Sequence, residues 1–201
     1  MKNNSASIGE KNGCIFDGMF ITDFDGTLLR SDGTFSQRDL KALAMLKNQG
    51  IATVVATGRS YYSFINSPGV NLPVDYIIFS TGAGVASHPA GKILRKKNLA
   101  AESVSYGLTF FLQTDFDFML HSPVPDNHRL FYRSSGRKNS DFDARIANYR
   151  KFARPLKFNS ASDFGEAAQF LAVVPQKETA SALEIIRKGL PDLSMIYSTS
   201  P

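Results

Sequence analysis

"FITDFDGTLLRSDGTFS", residues Phe20 to Ser36, decides how the rest of the chain is read. An apolar run ends in two carboxylates two residues apart, Asp23 and Asp25, followed by Gly26 and Thr27. Residues i and i+2 of an ideal strand share a face. Acids this close repel each other when both are ionised, unless a proton or a cation lies between them. A hard divalent cation answers that repulsion, and Mg2+ is favoured by oxygen ligands beside a phosphate. One carboxylate could then attack while the other moves a proton. A bare pair of this kind is also what two solvated loop acids closing a strand look like, so the surrounding elements decide.

Met19–Phe24 reads as a short strand, and its continuous apolar character predicts burial on both faces and a partner on both edges. Ser36 and Asp39 read as a helix start, with Ser36 as the cap. Leu40, Leu43 and Leu46 recur at helical spacing and Gly50 ends the helix. "IATVVA", residues 51–56, is a second apolar strand. Residues 59–66 read as a short helix stopped before Pro68, and "YIIFS", residues 76–80, as a third strand. Strand, helix, strand, helix, strand implies parallel strands with helices on both faces.

The second strand ends in "ATGRS". A hydroxyl at Thr57, at the end of a neighbouring parallel strand, can hydrogen-bond a phosphoryl oxygen. Gly58 lets the backbone approach, and the helix that follows offers N–H groups to an anion. Open parallel sheets bind ligands at this carboxyl end. Two matching strand ends side by side favour a site over a Thr-Gly turn with a solvated Arg59.

Residues 81–91 are rich in Gly, Ala and Ser and read as a linker or hairpin. Beyond them, helices are expected over 100–113, 141–152 and 177–188, and strands over 116–121, 130–133, 169–174 and 194–198. This is a second α/β domain, an open sheet with helices on one face. The domain division is placed at 1–85 and 86–201. "TDFDF", residues 114–118, echoes the first motif but lacks its Gly-Thr and reads as a strand entrance. Asp163 and Glu166 read as a helix cap and a surface acid. In "HSPVPDNHRLFYR", residues 121–133, Asn127 and His128 offer polar groups that could touch a ligand, against the plainer reading of a hairpin connection.

The 201 residues suffice for a sizeable core, and 43% hydrophobic with 20% charged residues is an ordinary globular composition. A formal charge of +5 favours an anionic partner without choosing one. With Cys14 as the single cysteine, intrachain disulfides and cysteine zinc sites are excluded. Asp17 and Gly18 interrupt the only apolar stretch near the start that could resemble a signal core, and the expected location is cytoplasmic. No run approaches the length of a membrane span. Basic runs at Arg95-Lys96-Lys97, Arg137-Lys138 and Arg150-Lys151 read as solvated faces, and the aromatic residues nearby, Tyr149, Phe152 and Phe158, have spacings that suit a core and not a nucleic-acid surface; neither nucleic acid nor membrane is expected as a partner. The oligomeric state is not legible.

"DFDGTLL" with "VVATGRS" resembles the haloacid-dehalogenase superfamily of phosphatases, and "YIIFSTGAGV" is similar to the point where its Cof-type sugar-phosphatase branch inserts a large α/β cap. The resemblance implies a Rossmann-like parallel core with a separate cap, acting on a small phosphorylated metabolite. It implies that Asp23 is the nucleophile and forms an aspartyl-phosphate. Asp25 would protonate the leaving oxygen and then activate water. Mg2+ would bind the Asp23 carboxylate and the Asp25 carbonyl, and Thr57 and Gly58 would hold the phosphoryl group. Arg59, Thr81, Asn127 and His128 are possible substrate contacts, although the branch usually carries Asn-Gly where this chain has Thr81-Gly82.

The same resemblance implies a charge-neutralising lysine and a strand ending in acids after the cap. No Gly-Asp dipeptide occurs in the chain. Further core strands are therefore expected beyond residue 201, and the 201-residue chain alone is expected to be impaired. A phosphomutase on the same scaffold and a non-catalytic binding relative are the rival readings.

Overall fold

The computed structural model describes residues 10–11, 14–157 and 164–197. The chain divides into two compact units, Met1–Lys96 and Lys97–Pro201. Among the described residues no helix is long and apolar enough to cross a membrane.

In the first unit, β1 (Glu10–Lys11) and β2 (Cys14–Ile15) pair antiparallel. The main sheet comprises β3 (Gly18–Asp23), β4 (Ile51–Ala56), β5 (Tyr76–Phe79), β6 (Gly84–Ser87) and β7 (Ile93–Lys96), hydrogen-bonded in that order. The first three strands are parallel, and the β6–β7 hairpin continues the sheet antiparallel. Two helices, α1 (Gln37–Asn48) and α2 (Tyr61–Ile65), make the crossovers. Ser36 is the N-cap of α1, but its hydroxyl makes no capping bond; only its carbonyl engages, accepting from the Leu40 N–H at 3.0 Å.

The core of this unit gathers on β4 and β5. Ala52, Val54, Val55, Ile77 and Phe79 are buried, with Leu43 from α1 and Phe64 from α2. Phe24 lies fully buried between Phe64 and Phe35, with ring centroids 4.9 and 6.0 Å away. One buried acid needs compensation. Asp75 accepts from the Thr53 N–H at 3.1 Å and its hydroxyl at 3.0 Å, and pairs with Lys47 at 3.4 Å. This network lies toward the start of β4, away from its carboxyl end.

Of the two edge partners that its apolar run predicts, β3 has one among the described residues, β4, and Met19, Phe20 and Ile21 are 43, 42 and 51% exposed. About half of the surface of these three residues is left uncovered by the described residues. The unit boundary, between Lys96 and Lys97, also falls later than residue 85, because β6 and β7 hydrogen-bond into the first sheet.

The second unit holds α3 (Ala101–Leu112), β8 (Asp117–His121), β9 (Leu130–Arg133), α4 (Ser140–Asn148), β10 (Ala153–Pro155), β11 (Gln169–Val173) and α5 (Thr179–Gly189). The sheet order is β10-β9-β8-β11. The strand period of two splits its side chains between two cores. Phe118, Leu120, Phe170 and Ala172 pack with Val104, Leu108 and Phe111 of α3 and Ile186 of α5. Met119, Leu130, Leu171 and Val173 pack with Phe142 and Ile146 of α4. Helices therefore cover both faces, not one. Asn139 caps α4 through the Phe142 N–H at 3.3 Å.

Residues 194–197 form no strand. Position 198 and Asp163 lie outside the described residues, and Glu166 is an exposed acid accepting from Asn98 at 2.8 Å. The strand β10 had no sequence signal strong enough to find it: three residues, one of them Pro155, at an edge where proline is tolerated.

Candidate active site

Parallel pairing of β3 with β4 sets Asp23 opposite Ala56. Thr57, the next residue, leaves β4 at the same end of the sheet. The chain after β5 joins them: the Thr57 N–H donates to the Ile78 carbonyl at 2.9 Å, the Ser80 N–H to the Arg59 carbonyl at 2.8 Å, and the Thr81 N–H to the Thr57 carbonyl at 3.3 Å. Three strand ends thus meet at the carboxyl edge, where an open parallel sheet leaves space for a ligand.

Asp23 is exposed, and no described residue hydrogen-bonds its carboxylate. Asp25 stands just beyond the strand. Gly26, at φ +75°, starts a tight turn in which the Gly26 N–H donates to the Leu29 carbonyl at 2.8 Å and the Leu29 N–H to the Phe24 carbonyl at 2.7 Å. Bridges from Leu29 to Asp25 and to Phe35 then fold Arg30–Thr34 into a small hairpin arm. Gly33, at φ +77°, turns that arm. Asp32 closes it by accepting from the Thr34 N–H at 2.9 Å and hydroxyl at 2.6 Å, and these bonds hold its carboxyl below the usual range.

The Thr57 hydroxyl lies 3.5 Å from Asp25 Oδ2 and accepts from the Arg59 N–H at 3.1 Å. Thr57 is 6% exposed, so its hydroxyl is fixed by the turn around it. Gly58 is exposed, and a Cβ there would stand 3.8 Å from Thr81 Oγ1, in ordinary contact. Arg59 is not the solvated cation of the plainer sequence reading. Its Nη2 lies 2.6 Å from Asp25 Oδ1, and its Nε 3.0 Å from both carboxylate oxygens.

Thr81 is exposed and holds φ +53° and ψ +36°, next to Ser80 at φ +52°. A β-branched residue in this region is a genuine outlier. Such strain persists where the surroundings over-determine it, here through the bonds to Thr57 and Arg59.

The other two expected contacts are placed differently. Asn127 and His128 are 5 and 7% exposed, packed within the second unit. The His128 ring stands edge-on to Phe152 at 4.8 Å. The Asn127 carbonyl accepts from Nδ1 of the buried His121 at 2.8 Å. Among the described residues no three His, Cys, Asp or Glu side chains cluster closely enough to hold a metal. Sequence reasoning missed Ser67, whose hydroxyl accepts from Arg59 Nη1 at 2.6 Å, and the hairpin arm. A serine after a short helix carries no signal of its own.

The geometry can be set against known proteins. No curated protein matches the chain by sequence. Among solved structures it is similar to the phosphatase BT1666 of the haloalkanoate (HAD) enzyme superfamily from Bacteroides thetaiotaomicron, at 20% identity and TM-score 0.62, over 90% of this chain and 64% of that one. It is similar to TM0651 from Thermotoga maritima at 16% identity and TM-score 0.66, over 92% and 67%. A third is the HAD subclass IIB sugar phosphatase BT4131, at 19% identity and TM-score 0.58, over 87% and 63%. At these identities the likeness establishes the fold, and the chain spans about two thirds of the length of these structures. The family profile for haloacid dehalogenase-like hydrolases matches residues 20–201. That match takes in β3 from Phe20 onward, the acid pair, the Thr57 turn and the whole second unit, and the chain belongs to the haloacid dehalogenase-like hydrolase family.

Proposed function

We propose that the protein is a Mg2+-dependent phosphatase of small phosphorylated metabolites, with sugar phosphates as the first class to test. One observation supports the reading: the Thr57 hydroxyl and the Asp25 carboxylate, from just beyond the ends of two neighbouring parallel strands, meet at 3.5 Å, and the strand register sets Asp23 opposite Ala56, the residue before Thr57. A tetrahedral anion needs such convergence of an acceptor, an acid and a hydroxyl donor.

In this reading an Asp23 oxygen attacks phosphorus and the bond to the leaving oxygen breaks. Asp25 delivers a proton to that oxygen. Asp25 then takes a proton from water, which attacks the aspartyl-phosphate, frees inorganic phosphate and restores Asp23. Thr57 and the backbone at Gly58 hold the phosphoryl oxygens, and Thr81 faces the leaving group. The Asp23 carboxylate and the Asp25 carbonyl are hard oxygen donors. They suit a Mg2+ that keeps several waters, as that ion prefers. When bound, it would neutralise charge on the transferring group.

The BT4131 likeness supports the sugar-phosphate class, since that structure is of a sugar phosphatase. The test is hydrolysis of p-nitrophenyl phosphate by the full chain. Turnover, slow for a site with two acids, should vanish in Asp23→Asn and on chelation of Mg2+. Undiminished activity in Asp23→Asn would end the reading.

A further inference from the structure

Arg59 is held more tightly than a half-buried surface arginine requires. Besides the contacts to Asp25, Nη1 donates to Ser67 Oγ at 2.6 Å, and that hydroxyl donates in turn to the Ser63 carbonyl at 2.9 Å. The guanidinium carbon lies 5.2 Å from the ring centroid of Phe24, which is fully buried and cannot shift to follow it. A guanidinium is planar, with its donors in a fixed fork. Pinning Nη1 on one side and the ring on one face fixes the Nε–Nη2 edge, and that edge meets Asp25. Asp25 itself stands exposed in a turn, and its one other described side-chain contact is the 3.5 Å approach of Thr57.

Stability does not account for this arrangement. The pair is 31 and 48% exposed, and ion pairs of such exposure contribute about 0–1 kcal/mol. Orientation does account for it, because a proton-transferring carboxylate must be aimed as well as present. We propose that Arg59 is a positioning residue: it aims the Asp25 carboxylate and does not grip the phosphoryl group. The proposal rests on the reading that Asp25 moves the proton.

The test compares Arg59→Met and Arg59→Lys in the full chain, with p-nitrophenyl phosphate as substrate and inorganic phosphate as inhibitor. Both variants should lose about 10–100-fold in kcat, the scale of a misplaced reacting group, while the Ki of phosphate moves less than about twofold. Lysine keeps the charge without the two-donor edge, so it should not rescue; added guanidinium should partly rescue Arg59→Met. In an Asp25→Asn background, Arg59→Met should cost nothing more. A rise of about tenfold in Ki with kcat intact would make Arg59 a phosphate contact and overturn the proposal. An unchanged kcat would overturn it too.

Melting temperatures of Asp25→Asn, Arg59→Met and the double variant give a readout independent of turnover. Non-additive shifts support the pairing. A wild-type chain that forms no acyl-phosphate on Asp23 in a single transfer but shows non-additive shifts would sink the phosphatase reading while supporting the pair.

Discussion

Thr81 donates its N–H to the carbonyl of Thr57 at 3.3 Å while standing at φ +53°, a conformation its β-branched side chain disfavours. The hydrogen bond ties the turn after β5 to the turn after β4. The strain is the cost of bringing the two together. A left-handed residue of this kind costs about 1–2 kcal/mol, and asparagine tolerates the region better than threonine. Thr81→Asn should therefore stabilise the protein by about 0.5–1 kcal/mol in urea denaturation, keeping the N–H and lowering the strain. A destabilised variant would mean that the Thr81 side chain has a packing role the geometry does not reveal.

Gly84 faces Phe79 across the β5–β6 pair, and a Cβ at Gly84 would overlap the Phe79 ring. Phe79 is fully buried, with Tyr61 against it at 5.3 Å, so the ring has no free path away. Gly84→Ala should cost about 1–3 kcal/mol, as overpacking does. Phe79→Leu should recover part of that loss in the Gly84→Ala background, measured as a double-mutant cycle.

Acid should destabilise the protein through its three histidines. Burial is the first cause holding His121, His88 and His128 below the ordinary histidine range, and Arg145, Lys47 and Arg129 add repulsion to them in that order. His121 makes the case clearest. Its Nδ1 faces the Asn127 carbonyl and must carry the hydrogen, which leaves Nε2 bare, buried and without a hydrogen-bond partner among the described residues. A proton on Nε2 would put a charge where no acceptor waits. The unfolded chain binds protons near pH 6.5 and the folded chain resists them, so stability is complete above about pH 6.5 and falls as pH drops through the lowered folded values. Denaturation midpoints between pH 7.5 and pH 5 (about the range over which histidine charges) should decline, and His121→Leu should flatten the decline. A midpoint that rises on acidification would contradict the assignment.

The open side of β3 makes a prediction about self-association. Met19, Phe20 and Ile21 are exposed on a strand with one hydrogen-bonded neighbour among the described residues. Unpaired apolar edges template further strands. Light scattering of the 201-residue chain should rise with concentration, and Ile21→Lys should lower it, since an edge lysine blocks strand addition. Equal scattering by both would show that the edge is not the contact.

Much of the first unit was legible because its strands are continuous apolar runs ending in distinctive residues. "FITDFDGT" and "VVATGRS" located Asp23 and Thr57 at adjacent strand ends before any coordinates, since parallel pairing leaves few other arrangements. What was not legible depended on tertiary partners. Arg59 reads as a possible substrate contact, and its pairing with Asp25 emerges only once Ser67 and Phe24 are in place around it. Ser36 sits at the cap position expected for it, yet its hydroxyl is unused there. Asn127 and His128 read as a hairpin connection that could touch a ligand, and their burial, with the His128 ring against Phe152 and the Asn127 carbonyl on His121, was not legible from polar residue types alone. The β3 run reads as a strand with partners on both edges, and one of them, β4, is present among the described residues.

The most direct test is to find where phosphorus goes. Full-length protein mixed with p-nitrophenyl phosphate and Mg2+, quenched in acid within the first turnover and mapped by mass spectrometry, needs only one transfer per molecule, so a slow second step does not obscure it. The account predicts an acyl-phosphate on Asp23, absent in Asp23→Asn. Phosphate on any other residue, or product formed with no label on Asp23, would contradict it.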